Sequence, residues 1–264
     1  MTPPRFTRHA FALLLMLALS TPISAQNVQP PPVDAPAARP DWPSPVADDG
    51  SFGFLLFDNA EFQRNAGPSA LRWDLFGWRG GDIHRFWFKS EGRQDTASSE
   101  DGEFEVQALY GKLIWPFFDL QAGVRVDPSL RRGSNATRVY AVFGLQGLAP
   151  YQFELEPTLF LSQTGIFSAR LTATYDFLLS QHLILQPRLE TSAAARPDEE
   201  IGIGAGVNDA EVGIRLRYEV RRELAPYIGL TWRERFGATR RLARPDGGGD
   251  PDQFVIVAGA RVWF

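Results

Sequence analysis

From Phe52 onward the chain repeats one design: segments of about 9 to 13 residues in which polar and apolar side chains alternate with period two. Such alternation puts successive side chains on opposite faces of a strand, and no helical period fits it. In 103–115, Glu103, Glu105 and Gln107 oppose Phe104, Val106, Ala108 and Tyr110. In 117–127, Asp119, Gln121, Arg125 and Asp127 oppose Phe118, Leu120, Ala122, Val124 and Val126. The segments 150–162, 166–178 and 208–220 repeat the pattern. The final stretch, 252–264, places Phe254, Ile256, Ala258, Ala260, Val262 and Phe264 on one face and stops on the aromatic.

Twelve strands are expected, at 52–62, 71–79, 82–91, 103–115, 117–127, 137–149, 150–162, 166–178, 182–193, 208–220, 225–236 and 252–264. Their connections alternate between tight corners (Gly80 with Gly81, Trp115 with Pro116, Ala149 with Pro150, 179–181, 221–224) and polar stretches (63–70, 92–102, 128–136, 163–165, 194–207, 237–251). Most of the second set are longer, the asymmetry of a membrane barrel with short periplasmic turns and longer outer loops. No later stretch reaches the about 18 apolar residues of a spanning helix, so a spanning structure has to be built from strands. The fold expected is all-β, a closed antiparallel transmembrane β-barrel over 51–264, with 252–264 pairing both 225–236 and the first strand. A soluble sandwich is the alternative for any single segment, but twelve such strands would need a large partner surface to cover them.

The start of the chain supports export. Arg5 and Arg8 precede the short apolar run Phe11–Leu19, and small residues lead to a cut after Ala25, so 1–25 read as a signal peptide. Residues 26–50, rich in Pro and Ala, read as a disordered periplasmic tether. Without the signal the chain keeps 25 basic residues against 31 acidic ones, a formal charge of −6, and has no general attraction to nucleic acid. It also keeps only two histidines, His84 and His182, and neither methionine nor cysteine. No disulfide can staple the fold, and no thiolate or thioether can take a soft metal.

Charges of both signs mark the polar faces, among them Lys89, Arg125, Glu154, Glu156, Arg170, Arg188, Glu190, Glu211, Arg215 and Arg217. In a small barrel they imply a lumen cross-linked by ion pairs, or a solute path. Trp73, Trp78, Trp87, Tyr110, Trp115, Tyr140, Tyr151, Tyr227, Trp232 and Trp263 lie near strand ends, where interfacial girdles form. Gly111, Gly123, Gly144, Gly213 and Gly259 read as relief of crowding or as curvature, and the glycines of 201–206 do not precede a helix as a nucleotide loop requires. A membrane lipid hydrolase would need a serine beside His84 or His182, which spacing does not supply. The chain is therefore not read as an enzyme.

The segments WDLFGWRGGDIHRFWFKSEG (73–92), EVQALYGKLIWPFFDLQAGVRVD (105–127), FGLQGLAPYQFELEPTLFLS (143–162), YDFLLSQHLILQPRLE (175–190) and EVGIRLRYEVRRELAPYIGLTWRERFG (211–237) resemble the bacterial outer-membrane copper resistance protein B (CopB) family. The resemblance runs over the whole barrel. It implies an outer-membrane protein that binds copper or helps move it, alongside a periplasmic multicopper oxidase. The Met- and His-rich region that members commonly carry before the barrel is replaced here by PPPVDAPAARPDWPSP. No ligand role carries over to His84, so any metal contact falls to His84, His182, Glu103, Glu105, Glu154 and Glu156 as a pool of hard or borderline ligands. A general small-solute porin or structural barrel is the alternative reading.

Overall fold

Alternation becomes architecture because each strand has one face for water and one for hydrocarbon. The computed structural model describes residues 50–64, 69–96, 102–128, 137–242 and 253–264. The signal peptide and the tether expected at 1–25 and 26–50 lie outside the described residues, apart from Gly50. The strands are β1 (Phe52–Arg64), β2 (Ala70–Gly80), β3 (His84–Asp95), β4 (Gly102–Trp115), β5 (Phe118–Asp127), β6 (Arg138–Ala149) and β7 (Phe153–Ser162). They continue as β8 (Phe167–Tyr175), β9 (Phe177–Leu178), β10 (Leu183–Ala194), β11 (Gly206–Tyr218), β12 (Leu224–Arg235) and β13 (Gln253–Trp263). β8 and β9 both pair with β10 and are two pieces of one wall strand interrupted at Asp176. The wall thus has twelve members, as the periodicity predicts.

Every neighbouring pair is antiparallel and consecutive in the chain, and β13 returns to pair with β1. The seam is completed by Leu55 N–H donating to the Phe264 carbonyl (3.1 Å) and Phe264 N–H donating to the Leu55 carbonyl (2.9 Å). Closure leaves no sheet edge, which is the condition for a β-structure in lipid. The outer surface is apolar: Phe86, Phe143, Leu159, Ile214, Ile228, Phe254 and Ile256 are all exposed on it. A closed wall with an apolar outside is built to face lipid.

One register irregularity has a large effect. Around Asp58 the pairing of β1 shifts against both β2 and β13, a β-bulge. Leu56 is buried before the bulge and Asn59, Glu61 and Gln63 are buried after it, so the inward phase changes from even to odd positions.

The corners of the short-turn rim are tight. Phe117, Tyr151 and Gln152 adopt positive φ of 73°, 67° and 67°, although none is glycine. The expected strand start at 150 is instead a 3₁₀ turn, Pro150–Gln152, because Tyr151 and Gln152 in this conformation cannot extend a ladder. On the opposite rim the β10–β11 connection is a structured loop, and a short helix α1 (Gly237–Leu242) follows β12. Thr239 of α1 is buried, where its hydroxyl accepts from the Gly204 N–H (2.9 Å). The 201–206 glycines therefore serve a loop turn, with Gly202 left-handed at φ 71°.

Candidate functional site

The inner face is a polar core in which charges from distant strands meet. In the half nearer the longer loops, Arg72 on β2 bonds Glu211 on β11 at 2.5 Å and reaches Glu190 on β10 at 3.4 Å. Arg233 also bonds Glu211. Arg188 on β10 contacts Glu190 (2.9 Å) and Asp74 on β2 (3.4 Å). Across the lumen, Glu105 on β4 accepts from Arg170 on β8 (2.8 Å) and pairs with Arg125 on β5 (2.7 Å). Arg170 also reaches Glu91 on β3 at 3.3 Å. Going round the wall, β3 and β8 are five strand steps apart, and so are β2 and β10, so these pairs run close to a diameter. The lumen is crossed by ion pairs rather than lined by them.

Further in, Lys89 on β3 meets Glu156 on β7 at 2.5 Å, and Arg215 on β11 meets Glu61 on β1 at 3.1 Å. Glu61 also accepts from Gln63 (2.7 Å) and from the Tyr227 hydroxyl (3.1 Å). Towards the short turns, Asp176 accepts from Arg217 (2.7 Å) and Gln186 (2.8 Å), and Arg261 contacts Asp58 (3.0 Å). Pairing of this kind is what lets ionised groups stay inside a barrel, since an unpaired one would have to remain hydrated.

Aromatic rings also pack in the interior, so only some of the strand-end aromatics stand where a girdle would form. Trp87, Tyr140 and Tyr227 are buried, and Trp78 packs with Trp87 at a ring separation of 6.4 Å. Trp263 turns inward against Phe54, 6.2 Å away. These rings sit beneath cations: Arg125 lies 4.8 Å from the Phe160 centroid, and Arg85 lies 4.8 Å from that of Trp78. Gly111 makes room for the layer, because a Cβ there would come within 2.4 Å of the Trp87 indole nitrogen. Tyr110, Trp115, Tyr151 and Trp232 do face outward, as interfacial residues should. Trp115, Phe117, Leu148 and Pro150 also line an apolar groove at the short-turn rim.

The residues expected to contact metal are not gathered together. His84 is exposed at the short-turn end of β3, where its Nδ1 lies 2.6 Å from the Tyr110 hydroxyl and the two rings stack. His182 is exposed in the turn before β10, with its ring 6.2 Å from that of Tyr218. β3 and β10 are six strand steps apart in either direction, so the two imidazoles stand on opposite sides of the barrel. Of the carboxylates, Glu105 is spent on Arg125 and Arg170, and Glu156 on Lys89. Glu103 stands opposite Arg93 in the β3–β4 ladder, and Glu154 opposite Thr174 in the β7–β8 ladder. Among the described residues Glu154 forms no ion pair, and no group of three His, Cys, Asp or Glu is placed to hold a metal ion.

Comparison with known proteins bears on what such a barrel is for. The family described as "Copper resistance protein B precursor (CopB)" matches residues 51–264. Copper resistance protein B of Escherichia coli is 42% identical over 248 residues, covering 92% of this chain and 81% of that one. The Copper resistance protein B homolog of Pseudomonas syringae pv. tomato (strain ATCC BAA-871 / DC3000) is 41% identical over 219 residues, covering 83% and 72%.

The chain belongs to the copper resistance protein B family.

As a CopB-family member it is an outer-membrane barrel of the copper-resistance family. Among solved structures, the NanC porin aligns with a TM-score of 0.54 at 14% identity, over 79% of this chain and 98% of that one, a likeness of fold. This CopB barrel carries carboxylates engaged by guanidinium and ammonium groups, and its two imidazoles are exposed at the short-turn rim. Among the described residues the donor set does not fit a high-affinity site for copper, least of all for Cu(I), which selects soft ligands.

Proposed function

We propose that this barrel handles copper as weakly held or passing cargo at the outer membrane and does not store it. The observation that carries the reading is the state of the lumen carboxylates: each is hard and most are already ion-paired, in a chain whose family acts in copper resistance. A cation entering such a lumen meets short-lived carboxylate contacts, of which Glu154 is the readiest, and exchanges quickly. The 26–50 segment is proposed to be a periplasmic tether, and a periplasmic multicopper oxidase the partner on that side.

A deletion strain tests this. Loss of the chain should lower survival in copper, and the intact chain should restore it. The double variant His84→Ala, His182→Ala should restore it equally, because both imidazoles are exposed at the short-turn rim, apart from each other and from the lumen carboxylates. Absence of any copper phenotype would overturn the proposal in favour of a general porin or structural barrel, whose signature is metal-independent equilibration of small uncharged solutes in liposomes.

A further inference from the structure

One side of the lumen carries more hydrogen-bond donors than its carboxylates accept. Arg188 spends Nη2 on Glu190 and Asp74, and its Nε and Nη1 are buried without a partner. Arg215 spends Nε and Nη2 on Glu61, leaving Nη1 buried and unpartnered. Thr231 Oγ1 is in the same condition. The three residues are only 6%, 1% and 3% exposed, so bulk water does not solvate these groups.

Their common neighbour is Gly213. In the ladders, Gly213 stands opposite Arg188 on one side and Thr231 on the other. A Cβ built on Gly213 would lie 3.2 Å from Arg215 Nη1 and 3.3 Å from Thr231 Oγ1, so these two unpartnered atoms converge over the bare glycine. Arg217, the next inward residue along β11, gives Nη2 to Asp176 and leaves Nε and Nη1 unpartnered as well, adding donors to the same wall.

We propose that this recess is a binding site for a small inorganic anion, seated over Gly213 between the Arg215 guanidinium and the Thr231 hydroxyl, with Arg188 facing Gly213 from β10. A guanidinium offers donors and no acceptor, whereas a bridging water must also place its own two protons. An anion accepts from both atoms over Gly213 at once, and the bond from the guanidinium is charge-assisted. Glu61 cannot fill that role, since Arg215, Gln63 and Tyr227 already occupy it. The site is independent of the copper reading and needs no metal.

Bromide is the probe. Crystals of the full barrel grown with bromide should show anomalous scattering over Gly213. The Gly213→Ala variant, whose added methyl fills the recess while every charge stays, should lose that peak, and Glu154→Gln elsewhere in the lumen should keep it. Thr231→Val should weaken bromide binding by about tenfold in solution, measured by bromide NMR line width, the equivalent of one hydrogen bond to a charged partner. Assembly of each variant is checked by heat-modifiable mobility, and if Gly213→Ala fails to assemble, Thr231→Val carries the test. Water alone at the position in bromide-grown crystals overturns the proposal, as does undiminished bromide binding in Thr231→Val.

Discussion

Glu61 and Arg215 show how much a single residue can matter inside this wall. Their side chains are 0% and 2% exposed and pair at 3.1 Å, so removing one leaves the other charged and shut away from water. Arg215→Met alone should cost about 3–5 kcal/mol of stability, and adding Glu61→Leu should recover much of it. Urea unfolding in liposomes reads both values, and a single variant as stable as the parent would contradict the pairing. Glu61 is also where the sequence is hardest to read. The bulge at Asp58 changes the inward phase in mid-strand, so even-numbered Leu56 and odd-numbered Glu61 face the same way, and strict alternation cannot show this. Arg72 and Asp74 are hidden for another reason: they share their face with Phe76 and Trp78, which erases the polar contrast on which the reading depends.

At the level of the strand, alternation is a set of opposite demands on neighbouring positions. Ile214 on β11 is 44% exposed on the lipid side, between inward Gly213 and Arg215. Ile214→Arg should destabilise the barrel by about 2–4 kcal/mol if it lies near the bilayer midplane. Unfolding in liposomes measures this, and a neutral result would mean that β11 presents its other face to lipid. Strand positions are largely legible because they depend on such local contrast: 103–115 is observed as Gly102–Trp115 and 182–193 as Leu183–Ala194. Features set by partners are not legible. Asp176 interrupts a wall strand to hold Arg217 and Gln186, and the sequence 166–178 gives no sign of the break. Trp87 and Tyr140 look like girdle residues until the glycines and cations that receive them inside are known.

For the whole molecule, closure decides everything else. Even strand number, turn asymmetry and the final aromatic strand are readable along the chain, and so is the family. The ion-pair chords are not, because Arg170 and Glu91 are 79 residues apart and meet only once the wall has curved. The last residue belongs to that closure through its two backbone hydrogen bonds with Leu55. Deleting Phe264 should reduce the fraction of chain that reaches the compact, heat-modifiable form in the membrane, with little effect on metal behaviour. Normal assembly of the truncated chain would remove Phe264 from the closing step.

The seam also has a consequence in time. Leu56 pairs with Trp263, so the opening strand is translated early yet must wait for almost the whole of the remaining chain before its second neighbour exists. Joining ends so distant is opposed by an entropy that grows only slowly with length, but contacts of such long range form late. Throughout that wait β1 carries an open row of peptide groups, with Phe52 and Phe62 unshielded beside it, a surface that favours clumping with other copies. Escort of the unfinished chain is therefore a requirement of the topology itself, and the speed of sealing, more than the final stability of the wall, sets how many copies survive the journey.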